Sequence, residues 1–344
     1  EAINYVNNEM DPHLVHGYMP NAGFESTRTA VAENLNKRFG SNFTFENIIM
    51  TVGAGSSINV IMKTIFDPGD KQVVFAPYFV EYANWASNYH AETVVVPPNE
   101  ANGFEPDPEA LKKALDPKVK VVIINNPNNP TGAIYSRETL EKIAEVLKEA
   151  EKEYGHPIYI ITDEPYRELV YVDKEIVFIP DLYDNTIIAY SWSKSLSIPG
   201  DRLGYLAVSP KSDNVDEFMA AATVANRISG DTNAPSIIQL AVERCLDAQV
   251  DIPYYKKNAE DLYKIVTDAG FTAVVPQGAF YLWVKSPVAD EKELVAAAKE
   301  ERILAVPGSA FACPGYIRLS FCISNETIQR SAESFAKLGK KYFG

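Results

Sequence analysis

Through its first two-thirds, the chain alternates short apolar runs of strand-forming residues with segments of helical periodicity. Most runs are separated widely enough for a helical crossover, which is typical of a parallel sheet covered by helices. Only the gap between Tyr190 and Gly204 is short, so the last strand is predicted to run antiparallel. We therefore predict an α/β fold, doubly wound around a mainly parallel seven-stranded sheet with one antiparallel strand. The predicted strands cover residues 47–52, 72–76, 92–96, 120–125, 157–162, 186–190 and 204–209.

The pattern changes after about Leu240, where long charged helical segments surround short apolar runs. This pattern of helical segments and short apolar runs predicts a smaller α+β domain at the C-terminal end of the chain. We place a large domain at 15–240 and build the small domain from 1–14 and 241–344. In the small domain we predict helices over 251–269, 290–301 and 325–342, and strands over 271–275, 280–285 and 317–321.

Composition excludes several classes of partner. The formal net charge of -14 argues against nucleic acid or an anionic membrane surface as the main partner. No apolar run approaches membrane-spanning length. Cys245, Cys313 and Cys322 have no zinc-ligand or C-x-x-C spacing, so we expect no metal site and reduced thiols in a cytoplasmic protein.

One lysine has the surroundings of a reactive amine. Lys194 directly follows the apolar run 186–190, has Ser191 and Ser193 beside it, and precedes Arg202 by eight residues. Burial at a strand end would lower the pKa of the lysine and make it a nucleophile towards an aldehyde. Hydroxyl and guanidinium donors suit an oxyanion such as phosphate. An aldehyde together with a phosphate describes pyridoxal phosphate, although the segment alone is also typical of a solvated turn.

Two further polar segments follow apolar runs. Asn129 lies in the loop 125–132, where two prolines fix φ and remove backbone donors, so its amide can be held in a set position. Asp163 follows the next run and could pair with a protonated ring nitrogen. Tyr166 is three residues further on and could reach a ring oxygen from the same side. Alone, the asparagine loop also fits a tight turn, and Asp163 also fits a helix N-cap.

A loop of small residues and a single arginine are the remaining candidate binding residues. Gly53, Ala54 and Gly55 open a helical segment, where free backbone N–H groups and the helix dipole attract a phosphate. The loop matches neither the dinucleotide fingerprint nor a P-loop. Arg318 lies in the predicted strand 317–321, and its guanidinium suits a carboxylate. A solvent-facing arginine would fit the same pattern.

These segments, taken in order from about Tyr18 to Phe321, resemble the class I/II aminotransferases, fold-type I pyridoxal-phosphate enzymes of the aspartate and aromatic aminotransferase kind. The resemblance implies a homodimer with shared active sites that moves an amino group from an L-amino acid to a 2-oxo acid by a ping-pong mechanism. It implies that Lys194 is the Schiff-base lysine and general base.

The resemblance also implies roles for the remaining residues. Asp163 would pair with the cofactor's protonated ring nitrogen, and Asn129 and Tyr166 would hydrogen-bond to its ring oxygen. Phe79, in Pro77-Tyr78-Phe79, would stack on the ring. Tyr18 would reach into the partner's site, and Arg318 would bind the substrate α-carboxylate. The phosphate would be held by Gly53, Ala54, Gly55, Ser191, Ser193 and Arg202.

Some features depart from the family pattern or stay open. The family has several dozen residues before the position of Glu1, so we expect a missing N-terminal segment. Arg227 lies near where some members bind a distal substrate carboxylate, which would favour aspartate or glutamate, but a surface arginine fits equally well. A β-lyase or related C–S lyase or synthase on the same fold is an alternative. A ligand-sensing domain of a transcription regulator is a more distant one.

Overall fold

The computed structural model describes residues 1–344 and contains the predicted seven-stranded sheet. The strand order is β1-β7-β6-β5-β4-β2-β3. The last strand, β7, runs antiparallel to both of its neighbours, and every other pair is parallel. The predicted fold class is therefore confirmed. The strands are β1 Ile48–Thr51, β2 Lys71–Phe75, β3 Glu92–Val96, β4 Val119–Asn125, β5 Tyr159–Asp163, β6 Thr186–Ser191 and β7 Gly204–Val208.

Helices cover both faces of this sheet because its strands are apolar on both sides. In β4, Val121 and Ile123 enter one core cluster, whereas Val122 and Ile124 enter another on the opposite face. The helices are α1 Ala2–Glu9, α2 Pro12–His16, α3 Glu25–Phe39, α4 Ala54–Ile65, α5 Glu81–Ser87, α6 Pro108–Ala114, α7 Arg137–Tyr154, α8 Trp192–Ser195, α9 Val215–Ile228, α10 Ser236–Val242, α11 Ile252–Asp268, α12 Glu291–Glu300, α13 Asn325–Arg330 and α14 Ala332–Phe343.

A smaller antiparallel sheet lies in the C-terminal part, with α11 to α14 and a separate hydrophobic core around it. Its order is β8-β10-β9, with β8 Tyr281–Lys285, β9 Val306–Pro307 and β10 Tyr316–Ser320. The predicted strand over 271–275 is wrong. That segment bridges β8 only at Ala273, and Pro276, which has no N–H to donate, follows directly after it.

The predicted helix over 325–342 is two helices. The break falls at Ser331, whose hydroxyl donates to the carbonyl of Ile328 instead of facing solvent. At the other end of the chain, α1 and α2 pack against α10 through a small apolar cluster that includes Val6, Val15 and Leu240. None of the helices combines the length and the apolar character that crossing a membrane requires.

The sheet brings the predicted polar segments to one edge. Parallel strands end on the same side, so Asn125 at the end of β4, Asp163 at the end of β5 and Ser191 at the end of β6 are neighbours. Gly204, the first residue of antiparallel β7, pairs with Ser191 and with Thr51 at this edge. In open α/β sheets, this edge is where ligands bind.

Candidate active site

A cavity of about 320 Å³ lies at this edge, between the large sheet and the small one. Eleven residues predicted from the sequence line it: Ala54, Gly55, Phe79, Asn129, Asp163, Tyr166, Ser191, Ser193, Lys194, Arg202 and Arg318. Six others complete its wall: Ile58, Trp85, Asn125, Pro165, Pro199 and Tyr281.

Lys194 lies in the single turn of α8, directly after β6. The side chain of Ser191 caps this turn by accepting from the backbone N–H of Ser193 at 3.4 Å. Burial lowers the pKa of Lys194, and the charges of Arg202 and Arg318 act in the same direction. The structure therefore supplies an amine that loses its proton more readily than an exposed lysine, which is what a nucleophile requires.

Asp163 is held rigidly at the end of β5. Its Oδ2 accepts a hydrogen bond from the Tyr82 hydroxyl at 2.5 Å, and its backbone carbonyl accepts one from Asn125 Nδ2 at 2.9 Å. Burial raises the pKa of the carboxyl to about 7. No helix begins at Asp163, so the alternative of a helix N-cap is wrong.

The second carboxylate oxygen of Asp163 has no partner. Oδ1 is buried and accepts no hydrogen bond from the protein. An unpaired buried acceptor is costly, so such an atom in a cavity implies a donor that belongs to a ligand. The protonated ring nitrogen of pyridoxal phosphate is a donor of this kind, and its positive charge would also favour the ionised carboxylate. The residues present therefore fit the group.

Asn129 and Arg318 meet across the cavity. Asn125 Oδ1 accepts from the backbone N–H of Asn129 at 2.7 Å, which fixes the loop. Arg318 Nη1 donates to Asn129 Oδ1 at 2.8 Å, which leaves the amide nitrogen of Asn129 as a donor. The guanidinium carbon of Arg318 lies 4.2 Å from the ring centroid of Tyr281 and 4.8 Å from that of Phe311. Arg318 is therefore part of the cavity wall, and the solvent-facing alternative is wrong.

The loop before α4, called the cradle below, has the geometry of an anion-binding site. Gly53, with φ of 86°, precedes the helix, and no side chain caps the helix N–H groups. The Arg202 guanidinium lies against this glycine, where a Cβ would be 2.6 Å from Nη2. Arg202 itself has a left-handed φ of 53°, a conformation that is uncommon for non-glycine residues and clusters at functional sites. Free N–H groups beside a guanidinium are suited to a phosphate.

Phe79 is half-buried and lines the cavity. It packs edge-on against Tyr82 and Trp85, at centroid distances of 5.7 and 6.0 Å. Trp85 closes the wall beside the cradle, because a Cβ on Gly55 would lie 3.2 Å from its ring. These aromatic side chains give the cavity an apolar surface that suits a planar ring.

Three predicted residues do not line the cavity: Gly53, which lies directly before Ala54 and against the Arg202 guanidinium, and Tyr18 and Arg227. Tyr18 lies between α2 and α3 and is 96% exposed. Arg227 is exposed in the last turn of α9. The two regions are close to each other, because Asn226 Nδ2 donates to the carbonyl of Asn21 at 3.2 Å.

Several residues that contact the predicted set were missed from the sequence. Tyr82 lies three residues after Phe79, and its backbone N–H donates to the Phe79 carbonyl at 3.1 Å, so the one-turn spacing could have identified it. Tyr281 and Phe311 gave no local signal, because they reach Arg318 only after the small sheet forms.

Comparisons with known proteins agree with this arrangement. The family model described as aminotransferase class I and II matches residues 2–335. The aspartate/prephenate aminotransferase of Thermus thermophilus is 33% identical over 329 residues, covering 93% of this chain and 83% of that protein. The aromatic-amino-acid aminotransferase 2 of Thermococcus litoralis is 30% identical over 353 residues, covering 98% and 87%.

Solved structures give the same result. An amino transferase from Eubacterium rectale superposes with a TM-score of 0.97 at 39% identity, covering all of this chain and 86% of that one. The aspartate aminotransferase of Thermus thermophilus with maleate superposes with a TM-score of 0.86 at 29% identity, covering 98% and 87%. The chain belongs to the class I and II aminotransferases and is a pyridoxal-phosphate-dependent transaminase.

Proposed function

We propose that Lys194 holds the aldehyde carbon of the cofactor and then, once a substrate amine displaces it, moves the substrate α-proton. Its lowered pKa supports both roles, because each requires a neutral amine. When bound, the cofactor supplies a cationic ring that withdraws electrons from the substrate α-carbon. The residues around it orient that ring, exclude water and hold its protons.

We assign the ring atoms to three side chains. Asp163 Oδ1 would accept from the ring nitrogen and keep it protonated, which the unpaired state of this oxygen supports. Asn129 Nδ2 and the Tyr166 hydroxyl would donate to the ring oxygen, and Phe79 would stack on the ring face. The phosphate would be bound at the cradle formed by Gly53, Ala54, Gly55, Ser191, Ser193 and Arg202.

The substrate would bind on the side of the small sheet. Arg318 would pair with the α-carboxylate and so fix which bond at the α-carbon faces the ring. The reaction would proceed in two halves, with an L-amino acid leaving as a 2-oxo acid before a second 2-oxo acid accepts the amino group. Because the relatives described above are named as aspartate/prephenate and aromatic-amino-acid aminotransferases, we propose an acidic or aromatic donor.

Arg227 is our candidate for a distal carboxylate. It is exposed and lies outside the cavity of its own protomer. A contact with a substrate would therefore have to be made across a subunit interface. We propose a homodimer in which Tyr18 also serves the partner's cavity, which its 96% exposure supports.

We also propose the division into a large domain at 15–240 and a small domain from 1–14 and 241–344, together with a cytoplasmic location. Separate hydrophobic cores around the two sheets support a division between the large sheet and the C-terminal part, whereas 1–14 pack against α10 in a cluster of their own. Three free cysteines support a reducing compartment.

The test is the visible absorption spectrum of the purified protein. With pyridoxal phosphate we expect a band at roughly 420 nm that fades on addition of the amino donor and returns with 2-oxoglutarate. The amino acid that bleaches the band identifies the donor. The matched variant Lys194→Ala should show neither the band nor turnover. Near-wild-type transamination by Lys194→Ala would contradict the proposed role.

A further inference from the structure

Tyr281 contacts both ends of the proposed site. It is the first residue of β8, is buried, and lines the cavity. Its hydroxyl oxygen lies 2.9 Å from that of Tyr166, the residue assigned to the cofactor ring oxygen. Its ring centroid lies 4.2 Å from the guanidinium carbon of Arg318, the residue assigned to the substrate carboxylate.

The guanidinium of Arg318 is held by the protein on several sides. Tyr281 pairs with Ser320 in the antiparallel ladder, and Ser320 and Arg318 lie on the same face of β10, so the ring is a diagonal neighbour of the arginine. Phe311 contributes a second aromatic contact at 4.8 Å, and Asn129 accepts from Nη1 at 2.8 Å. The orientation of Arg318 therefore depends on the Tyr281 ring as well as on the asparagine.

We propose that Tyr281 is a positioning residue that couples carboxylate binding at Arg318 to the hydrogen bonding of the cofactor ring oxygen. The inference rests on the proposed function of Tyr166 and Arg318. The ring orients the guanidinium through a cation–π contact. The 2.9 Å contact between the two hydroxyls allows either to donate. Because the single hydroxyl proton of Tyr166 is assigned to the ring oxygen, the Tyr281 hydroxyl is then the donor to the Tyr166 oxygen, and this polarises Tyr166 into a stronger donor towards the ring oxygen.

A second connection joins Arg318 to the residues assigned to the cofactor ring oxygen. Asn129, the other residue assigned to the ring oxygen, receives its hydrogen bond from Arg318 directly. Both ring-oxygen donors are thus linked to the arginine, one directly and one through Tyr281. A carboxylate that moves Arg318 would change both links together, whereas loss of the Tyr281 hydroxyl alone affects only the link through Tyr166.

Tyr281→Phe removes the hydroxyl and keeps the ring. We expect the pH midpoint of the visible absorbance change of the holoenzyme to rise by about half a unit, because a weaker Tyr166 donor stabilises negative charge on the ring oxygen less. We expect the Kd of succinate, measured by its effect on the same spectrum, to stay within about twofold of wild type because the cation–π contact remains.

Tyr281→Leu removes both features. We expect the same rise in the pH midpoint and, in addition, an increase of about fivefold in the Kd of succinate. Tyr171→Phe is the matched control, since Tyr171 is buried and its hydroxyl bonds only to the carbonyl of Ala279, outside the cavity. Thermal melts followed by circular dichroism show whether each variant is folded.

Two results would overturn the coupling. One is a pH midpoint in Tyr281→Phe that moves no more than in Tyr171→Phe. The other is a folded Tyr281→Leu protein that binds succinate as wild type does. Transamination by the wild-type preparation tests the proposed function separately, so an active wild type with unshifted variants rejects the role of Tyr281 alone.

Discussion

A single buried carboxyl is the residue on which the proposed chemistry depends most. Asp163 has one oxygen bonded to the Tyr82 hydroxyl and one with no partner. Burial raises its pKa to about 7, while the hydrogen bond from Tyr82 opposes that rise. The Tyr82 hydroxyl, together with the positive charge of Lys194, thus helps to keep the charge that the ring nitrogen needs available near neutral pH.

Tyr82→Phe should therefore weaken cofactor binding. Without the hydroxyl, the pKa of Asp163 rises further, and less of the carboxyl is ionised at pH 7.5. A hydrogen bond to a charged group contributes about 1.5–3 kcal/mol, so we expect the Kd of pyridoxal phosphate to rise at least about tenfold. Titration of the cofactor-free protein measures it. Tyr89→Phe is the control, because Tyr89 contacts Asn59 and not Asp163. Equal affinities of the two variants would contradict the role of Tyr82.

Asp163 should also make the cofactor-free protein less stable as the pH rises. Its folded-state pKa of about 7 lies above its ordinary value of 3.8, so the folded form keeps a proton that the unfolded chain loses. The contribution of Asp163 to the free energy of unfolding is fully present below pH 4. It falls by roughly 4 kcal/mol in total as the pH rises towards 7.

Urea unfolding of wild type and Asp163→Asn between pH 4 and pH 8 measures this effect. The variant should gain stability relative to wild type as the pH increases. Asp116 is a control of opposite sign, because Lys71 and the Lys118 N–H lower its pKa despite some burial. Asp116→Asn should therefore lose stability relative to wild type as the pH increases. A constant difference between wild type and Asp163→Asn would show that the carboxyl titrates normally.

At the scale of elements, the anion cradle depends on how closely β7 approaches the loop before α4. A Cβ on Gly204 would lie 2.8 Å from the carbonyl carbon of Gly53 and 2.4 Å from the carbonyl oxygen of Tyr190. Both of these neighbours are backbone atoms, which cannot rotate away. The strand end and the helix start are thus held together only if position 204 has no side chain.

Gly204→Ala should therefore damage the cradle. Overpacking of this kind costs about 1–3 kcal/mol, and the shift would move the helix start away from Arg202. We expect a lower melting temperature and at least about tenfold weaker binding of pyridoxal phosphate. Gly200→Ala is the control, since a Cβ there meets no atom within 4 Å. If both variants bind the cofactor equally well, the close approach does not matter for the cradle.

At the scale of the whole molecule, the cavity is assembled from distant parts of the chain. The large sheet supplies Asp163 and, through the turn of α8 after β6, Lys194, and the small sheet supplies Tyr281 and Arg318. Tyr18, in contrast, is 96% exposed and does not line the cavity of its own protomer. A site that needs this tyrosine is incomplete in one protomer, which is why we propose a dimer with shared sites.

Mixing two inactive variants tests the sharing. Lys194→Ala and Tyr18→Ala should each be nearly inactive alone. After unfolding and refolding together, half of the dimers are hybrids, and each hybrid has one site with both residues intact. Transaminase activity should then recover to about a quarter of wild type. No recovery, with hybrid dimers demonstrated by mass spectrometry, would show that Tyr18 serves its own protomer or none.

The sequence predicts the large sheet well because its strands are apolar on both faces and are followed by polar residues at one edge, as at Asn125 and Asp163. Eleven predicted residues consequently line one cavity. Prediction fails where structure depends on distant contacts. The apolar segment 271–275 resembles a strand but bridges β8 at a single residue, and Tyr281 meets Arg318 only through sheet pairing.

The position of Trp85 has a practical consequence. It is the only one of the three tryptophans that lines the cavity, since Trp192 and Trp283 are buried and do not border it. Its indole emission overlaps the absorption of a bound pyridine chromophore, so occupancy of the cavity should quench part of the intrinsic fluorescence by energy transfer. The fluorescence change would report loading of the cavity in real time without a label, and Trp85→Phe should reduce the size of that change.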